Sequence, residues 1–159
     1  PISFLGAPYG YRLTLIDELR SSGIPIFTYG PGWTSKKNLY LNKIPQNNLE
    51  VIQRSQINLG CGNIGYSNEI YNIKGRDFDI PGAGSMYLTS YNDELAEYFH
   101  LNKEIVCYRN TIDLVEIIRF YLKNPLKCEE IAIKAGSAAV QKHRWYNRYE
   151  TILNNLKII

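Results

Sequence analysis

No stretch of this 159-residue sequence approaches the roughly 20 consecutive apolar residues that a bilayer-spanning helix needs. Its start, Pro1-Ile2-Ser3-Phe4, has neither the charged leader nor the cleavage site of a secretory signal, so a cytoplasmic location is expected. Cysteine is scarce and odd in number. Cys61, Cys107 and Cys128 stand far apart, a spacing that argues against a metal site, and they read as core or incidental thiols. The only two histidines, His100 and His143, sit in helical patterns without clustered partners, so no metal and no cofactor is expected. The G-x-G-x-x-G fingerprint of dinucleotide enzymes is absent. Charge of one sign is also in short supply, because 18 Lys and Arg against 15 Asp and Glu leave a formal +3, too scattered for a nucleic-acid stripe. Two local basic spots, Lys36-Lys37 and Lys142-His143-Arg144, would favour anionic ligands or lipid headgroups, a peripheral membrane contact included.

What is present is an apolar content of 45% and a regular alternation of strand-like and helix-like segments, enough for one domain over 1–159. Strands are predicted at 2–5, 24–29, 57–59, 86–89 and 104–108, with a weaker one around Tyr40-Leu41. Helices are predicted at 12–20, 48–55, 93–99, from Asn110 to Asn124-Pro125, and over 126–143 and 146–156. Asn110 is placed as an N-cap with Asp113 at the third helical position. Strands separated by helices imply a parallel sheet, hence an α/β, Rossmann-like three-layer domain with a helical C-terminal tail.

Open parallel sheets bind ligands where strands run into helices, at their carboxyl ends. Three loops qualify. Gly6-Ala7-Pro8-Tyr9-Gly10-Tyr11-Arg12 offers glycines for close backbone approach and an arginine at a helix start, although a plain βα turn would look the same. Gly30-Pro31-Gly32-Trp33 sets an indole beside a tight turn, either to stack on a nucleobase or simply to pack. The richest is Gly75-Arg76-Asp77-Phe78-Asp79-Ile80-Pro81-Gly82-Ala83-Gly84-Ser85-Met86-Tyr87. Here Pro81 is expected to open a helix, with Gly82, Ala83 and Gly84 as a bulk-free anion cradle. Arg76 is the candidate for phosphate and Asp79 for ribose. The plainer alternative is an Asp79 cap and a surface pair of Arg76 with Asp77 or Asp79. Among the tyrosines, Tyr9, Tyr11, Tyr29, Tyr66 and Tyr87 are candidates to line a sugar cleft, and Tyr121 and Tyr149 read as core.

The runs from Ser55 to Gly60 and Ile73 to Thr89 resemble the donor-binding half of a GT-B glycosyltransferase, within the group-1-like family that includes the spore maturation protein CgeB. The likeness extends in collinear order from Phe4-Leu5-Gly6 and Gly30-Pro31-Gly32-Trp33 to Asn124-Pro125, His143, Trp145 and Arg148. The resemblance implies the C-terminal half of a GT-B fold. A nucleoside-diphosphate sugar would be bound there and face an N-terminal acceptor domain of the same protein, of which this chain would be a fragment, inactive alone. It gives Arg12 and Arg76 diphosphate roles, with Arg76 as a leaving-group stabiliser. It also sets Asp79 in place of the second glutamate of an E-x7-E pattern and Tyr71 in place of the first, with Glu69 the nearest substitute carboxylate. The implied activity is metal-independent transfer of a sugar to an acceptor. The shortened Asp79 and the missing first glutamate leave a second reading open, a non-catalytic Rossmann-like nucleotide-binding or assembly module.

Overall fold

The computed structural model describes residues 1–33, 47–67 and 69–158. Five parallel strands, β1 (Ile2–Leu5), β2 (Ile26–Tyr29), β3 (Ile57–Leu59), β4 (Tyr87–Ser90) and β5 (Val106–Tyr108), form one sheet in the order β2-β1-β3-β4-β5. Ile2 is in register with Ile26 on one side and with Ile57 on the other. The chain therefore steps from β1 outward to β2 and returns on the opposite side of β1 as β3. Strand order reverses between β1 and β3, and their carboxyl ends open the crevice where such sheets take ligands.

Side chains alternate across the sheet and build two cores. On one face Ile2, Phe4, Met86 and Leu88 pack with Leu15, Ile16 and Leu19 of α1 (Tyr11–Ser21) and with Leu114 and Ile118 of α5 (Thr111–Lys123). On the other, Tyr87 and Ile105 pack with Ile52 of α2 (Asn48–Arg54), Ile80 of α3 (Arg76–Gly82) and Leu95 of α4 (Leu95–Tyr98). Burial on both sides is why the strands read as short apolar runs rather than strict alternations. Two further helices, α6 (Pro125–Lys142) and α7 (Trp145–Asn155), complete the tail. The Asn110 side chain accepts from the Asp113 N–H at 2.9 Å, the cap expected from the sequence. No helix among the described residues is long and apolar enough to cross a membrane.

The three-layer parallel architecture is as the sequence predicts, and several local expectations are not. The weak strand at Tyr40-Leu41 lies outside the described residues. The helix expected over 93–99 is the single turn α4, and His100 falls beyond it in no helix. Tyr149 is exposed on α7, not core, whereas Tyr87 is fully buried and lines no cleft. The largest correction concerns Pro81, which lies in the last turn of α3, so Gly82, Ala83 and Gly84 form a helix end. Gly84 adopts φ 67° and its N–H donates to the Pro81 carbonyl at 2.9 Å, the left-handed glycine stop of a helix. A helix C-terminus presents carbonyls, so the expected anion cradle at Gly82-Ala83-Gly84 is absent. The true start of α3 is set by Asp77, whose Oδ2 accepts from the Lys74 N–H at 2.7 Å.

Candidate functional site

At the reversal of strand order, β1 ends in Leu5 and Gly6. Gly6 is held from both directions, its N–H donating to the Tyr29 carbonyl at 2.7 Å and its carbonyl accepting from Trp33 Nε1 at 2.6 Å. Gly30 packs so tightly there that a Cβ on it would stand 2.7 Å from the Gly6 oxygen. Two cations converge on this pinned turn. A Cβ on Gly6 would lie 3.2 Å from Arg76 Nη2 and 3.5 Å from Arg12 Nη1. Arg76 is anchored by donating from Nη1 to the Leu5 carbonyl at 2.8 Å and by lying 5.2 Å from the Phe4 ring centroid. Neither arginine forms an ion pair with a carboxylate among the described residues. Burial and the facing Arg76 charge both lower the pKa of Arg12. Lys74 is likewise lowered, by burial first and then by Arg12 and Arg76. Three cations gathered here, with the buried Asp77 behind them and none in an ion pair among the described residues, make a local field that favours an anion.

From this corner a cleft of about 1160 Å³ runs along α3. Arg76, Asp79, Gly82 and Ala83 line it, one helical face at spacings of three and four. Asp79 is exposed to the cleft, and its carboxylate makes neither a cap bond at the start of α3 nor an ion pair with Arg76 among the described residues. Tyr29, Gly30 and Pro31 from the end of β2 and Asn48, Leu49 and Ile52 from α2 form one flank. The turn between α6 and α7 supplies His143 and Arg144, and the first turn of α7 supplies Trp145 and Arg148. His143 Nε2 lies 2.8 Å from the Tyr98 carbonyl and its ring packs 4.7 Å from Phe99, and burial lowers its pKa against the pull of that carbonyl.

The sequence-derived candidates thus divide. Gly6, Arg76, Asp79, Gly82 and Ala83 line the cleft, and Arg12 lies beside Gly6 without lining it. Tyr9 is 56% exposed beneath the Arg12 guanidinium at 5.7 Å, outside the cleft. Gly10 serves the fold, since at φ 61° a Cβ there would fall 1.9 Å from the Gly65 oxygen. Gly32 packs over Pro8, and Gly84 faces Gly136 of α6. The stacking role for Trp33 is corrected, because its indole is buried edge-on against Phe4 at 5.9 Å and has no face to offer a base. Glu69 is exposed on the loop after β3 and does not line the cleft. The sequence pointed to Arg144 as part of a basic spot and to Arg148 within the resemblance but did not set them, or Lys74, in the site. The signals were there, Lys74 two positions before Arg76 and Arg144 within a basic spot, but only folding shows that they face one space.

Behind the cleft lies a buried polar link. Asp77, 2% exposed, accepts from Lys74 N–H and, through Oδ1, from the Tyr87 hydroxyl at 2.5 Å. Burial raises its pKa against the opposing pull of these two bonds and of Arg76. The folded state therefore keeps the Asp77 proton to a higher pH than the unfolded chain. Its contribution to stability is greatest at acid pH and falls as pH rises from the unfolded value through the raised folded one. Asp77→Asn is expected to remove this fall, so that in urea titrations its midpoint gains on the unmodified protein as pH rises through that window. A constant difference across the window would refute the assignment. The thiols are inert by the same physics, since burial raises Cys61 and Cys128 and pushes Cys107 up to about 12.

Comparison with known proteins agrees with this fold. The structure superposes on Anabaena HepE in complex with UDP with a TM-score of 0.77 at 11% identity, over 99% of this chain and 48% of that one. Sucrose-phosphate synthase from Thermosynechococcus elongatus gives 0.69 at 11% identity over 99% and 46%, and TarM gives 0.68 at 14% identity over 96% and 34%. The chain spans less than half the length of these structures. At such identities the likeness is one of fold, that of GT-B glycosyltransferases. No curated protein matches the sequence. A family model described as glycosyl transferase-like matches residues 12–154, nearly the whole chain, and the chain belongs to that family.

Proposed function

We propose that this chain is the donor-binding domain of a glycosyltransferase that takes a sugar from a nucleoside diphosphate. The observation that carries the reading is the convergence of Arg12 and Arg76 on Gly6 with no carboxylate between them. A diphosphate placed there receives charge-assisted hydrogen bonds from two guanidiniums and the field of Lys74. In this reading the Asp79 carboxylate, one helical turn further along the cleft lining, accepts ribose hydroxyls, and Gly82 and Ala83 leave room beyond it. When the glycosidic bond breaks, negative charge grows on the diphosphate, and fixed cations aimed at it lower the barrier. In this reading the arginines do the work a divalent metal does elsewhere. The acceptor and any general base come from a second domain on the N-terminal side. HepE has been crystallised with UDP, which makes UDP the first ligand to test. The reading places the protein in the cytoplasm, where free thiols such as Cys61 persist.

Calorimetry with UDP is the direct test. The unmodified protein should bind, and Asp79→Ala should weaken binding by about ten- to a hundredfold, the loss of hydrogen bonds to a charged group worth roughly 1.5–3 kcal/mol. A folded protein that binds none of a panel of nucleoside diphosphates would overturn the proposal.

A further inference from the structure

The cleft holds more positive charge than a diphosphate uses. Lys74, Arg76, Arg144 and Arg148 line it against the single carboxylate of Asp79, a surplus as large as the formal +3 of the entire chain. Behind Lys74 and Arg76 the buried Asp77 carboxyl shares their field, and burial raises its pKa. None of the four cations takes part in an ion pair among the described residues, and the residues outside the description, 34–46, 68 and 159, include no Asp or Glu. Lys74 and Arg76 belong to the β1 corner. Arg144 and Arg148 come from another part of the chain, Arg144 immediately before α7 and Arg148 in its first turn. Arg148 is no loose surface arginine. It is half-buried, with its guanidinium 4.4 Å from the centroid of the Phe78 ring, two residues beyond Arg76 on α3. Such stacking fixes the plane of the group and leaves its N–H edge to donate, which suits a planar or tetrahedral oxyanion.

We propose that Arg148, assisted by Arg144, forms a second anion subsite, and that it takes a carboxylate or phosphate group the nucleoside diphosphate does not supply. The inference rests on the donor-site reading for what occupies the rest of the cleft. The group has two sources, the carboxylate of an acidic donor sugar or a phosphate carried by the acceptor. In either case the subsite selects which sugar or acceptor is used, while Arg12 and Arg76 hold what all donors share.

The test compares binding of UDP-glucuronate and UDP-glucose by calorimetry, and of inorganic phosphate with and without saturating UDP, in the unmodified protein and in Arg148→Gln. An acidic-sugar source predicts that UDP-glucuronate binds at least about tenfold more tightly than UDP-glucose and that Arg148→Gln abolishes the preference. An acceptor source predicts equal affinities for the two sugars, with phosphate binding to the UDP-saturated protein and lost in Arg148→Gln. Equal sugar affinities without phosphate binding overturn the subsite, as does any preference that survives Arg148→Gln. A protein that binds no UDP would sink the donor-site reading, and phosphate alone, bound or not bound in an Arg148-dependent way, would still decide the subsite. Should Arg148→Gln unfold, Arg144→Gln, at an exposed position, must show a weaker effect of the same sign.

Discussion

Arg76→Ala, introduced into a protein that carries both halves of the enzyme, should slow sugar transfer by roughly a hundred- to a thousandfold, the 2.7–4 kcal/mol typical of removing one preorganised donor from a developing oxyanion. UDP affinity should fall less than the rate. Ground-state binding shares the diphosphate among Arg76, Arg12 and Lys74, whereas charge on the leaving group peaks only as the bond breaks. Arg76→Lys keeps the charge but loses the planar fork that reaches both the Leu5 carbonyl and the space over Gly6, so it should recover only part of the rate. Transfer that continues unchanged in Arg76→Ala would remove this residue from the mechanism.

Removing the other guanidinium, that of Arg12, carries an opposite expectation for stability. Arg12 and Arg76 face each other without a carboxylate, and the lowered pKa of Arg12 records burial and that repulsion. An enzyme that keeps two like charges together in the free state accepts a cost to stability for a site ready to meet an anion. Arg12→Ala should therefore change the thermal midpoint little or raise it, while weakening UDP binding. A large loss of stability would mean that Arg12 serves the fold and not the ligand.

How much of this was readable beforehand follows from the range of the interactions involved. The β1 strand and its glycine stop, the Asn110 cap and the α5 face are local, set by neighbours within a few positions, and the sequence shows them directly. Arg12, Arg76 and Asp79 were also legible, because strand-loop-helix order alone sends β1 and the segment after β3 to the same edge of the sheet. The polarity of α3 was not. Pro81 and Gly84 each have two meanings, the proline as a first-turn residue or a tolerated last-turn one, the glycine as an anion cradle or a helix stop. The bond that chooses between them, from Asp77 to Lys74 N–H, is supported from β4 through Tyr87, ten residues away. Trp33 failed for a similar reason. Its partners are the Gly6 carbonyl and Phe4, on a strand 27 residues earlier and more, and no pattern around Trp33 announces them. Arg148 lies further still along the chain from the Phe78 ring that orients it.

Gly60→Ala should be among the most damaging single-methyl changes in the chain, costing about 3 kcal/mol, the upper end of the usual range for overpacking a core. Gly60 follows β3, its N–H donating to the Leu88 carbonyl at 2.7 Å and its own carbonyl accepting from the Tyr108 hydroxyl at 3.0 Å, so the backbone cannot retreat without losing both bonds. A Cβ there would stand 2.1 Å from the Tyr87 hydroxyl oxygen, 2.5 Å from the ring carbon that bears it, and 2.7 Å from Thr89 Oγ1. Tyr87 has nowhere to go, being fully buried with its hydroxyl on Asp77. If it yields, Asp77 loses a partner in a buried site, and the turn that presents Lys74 and Arg76 loses its support. Stability and UDP affinity should therefore fall together. Tyr87→Phe removes the nearest clashing atom but also the Asp77 bond, so in a double-mutant cycle Tyr87→Phe should cost clearly less on the Gly60→Ala background than on the unmodified one. Additive costs, measured as urea midpoints at one pH, would show that the two residues do not press on each other, and the link from the core of the sheet to the cations of the cleft would fail with them.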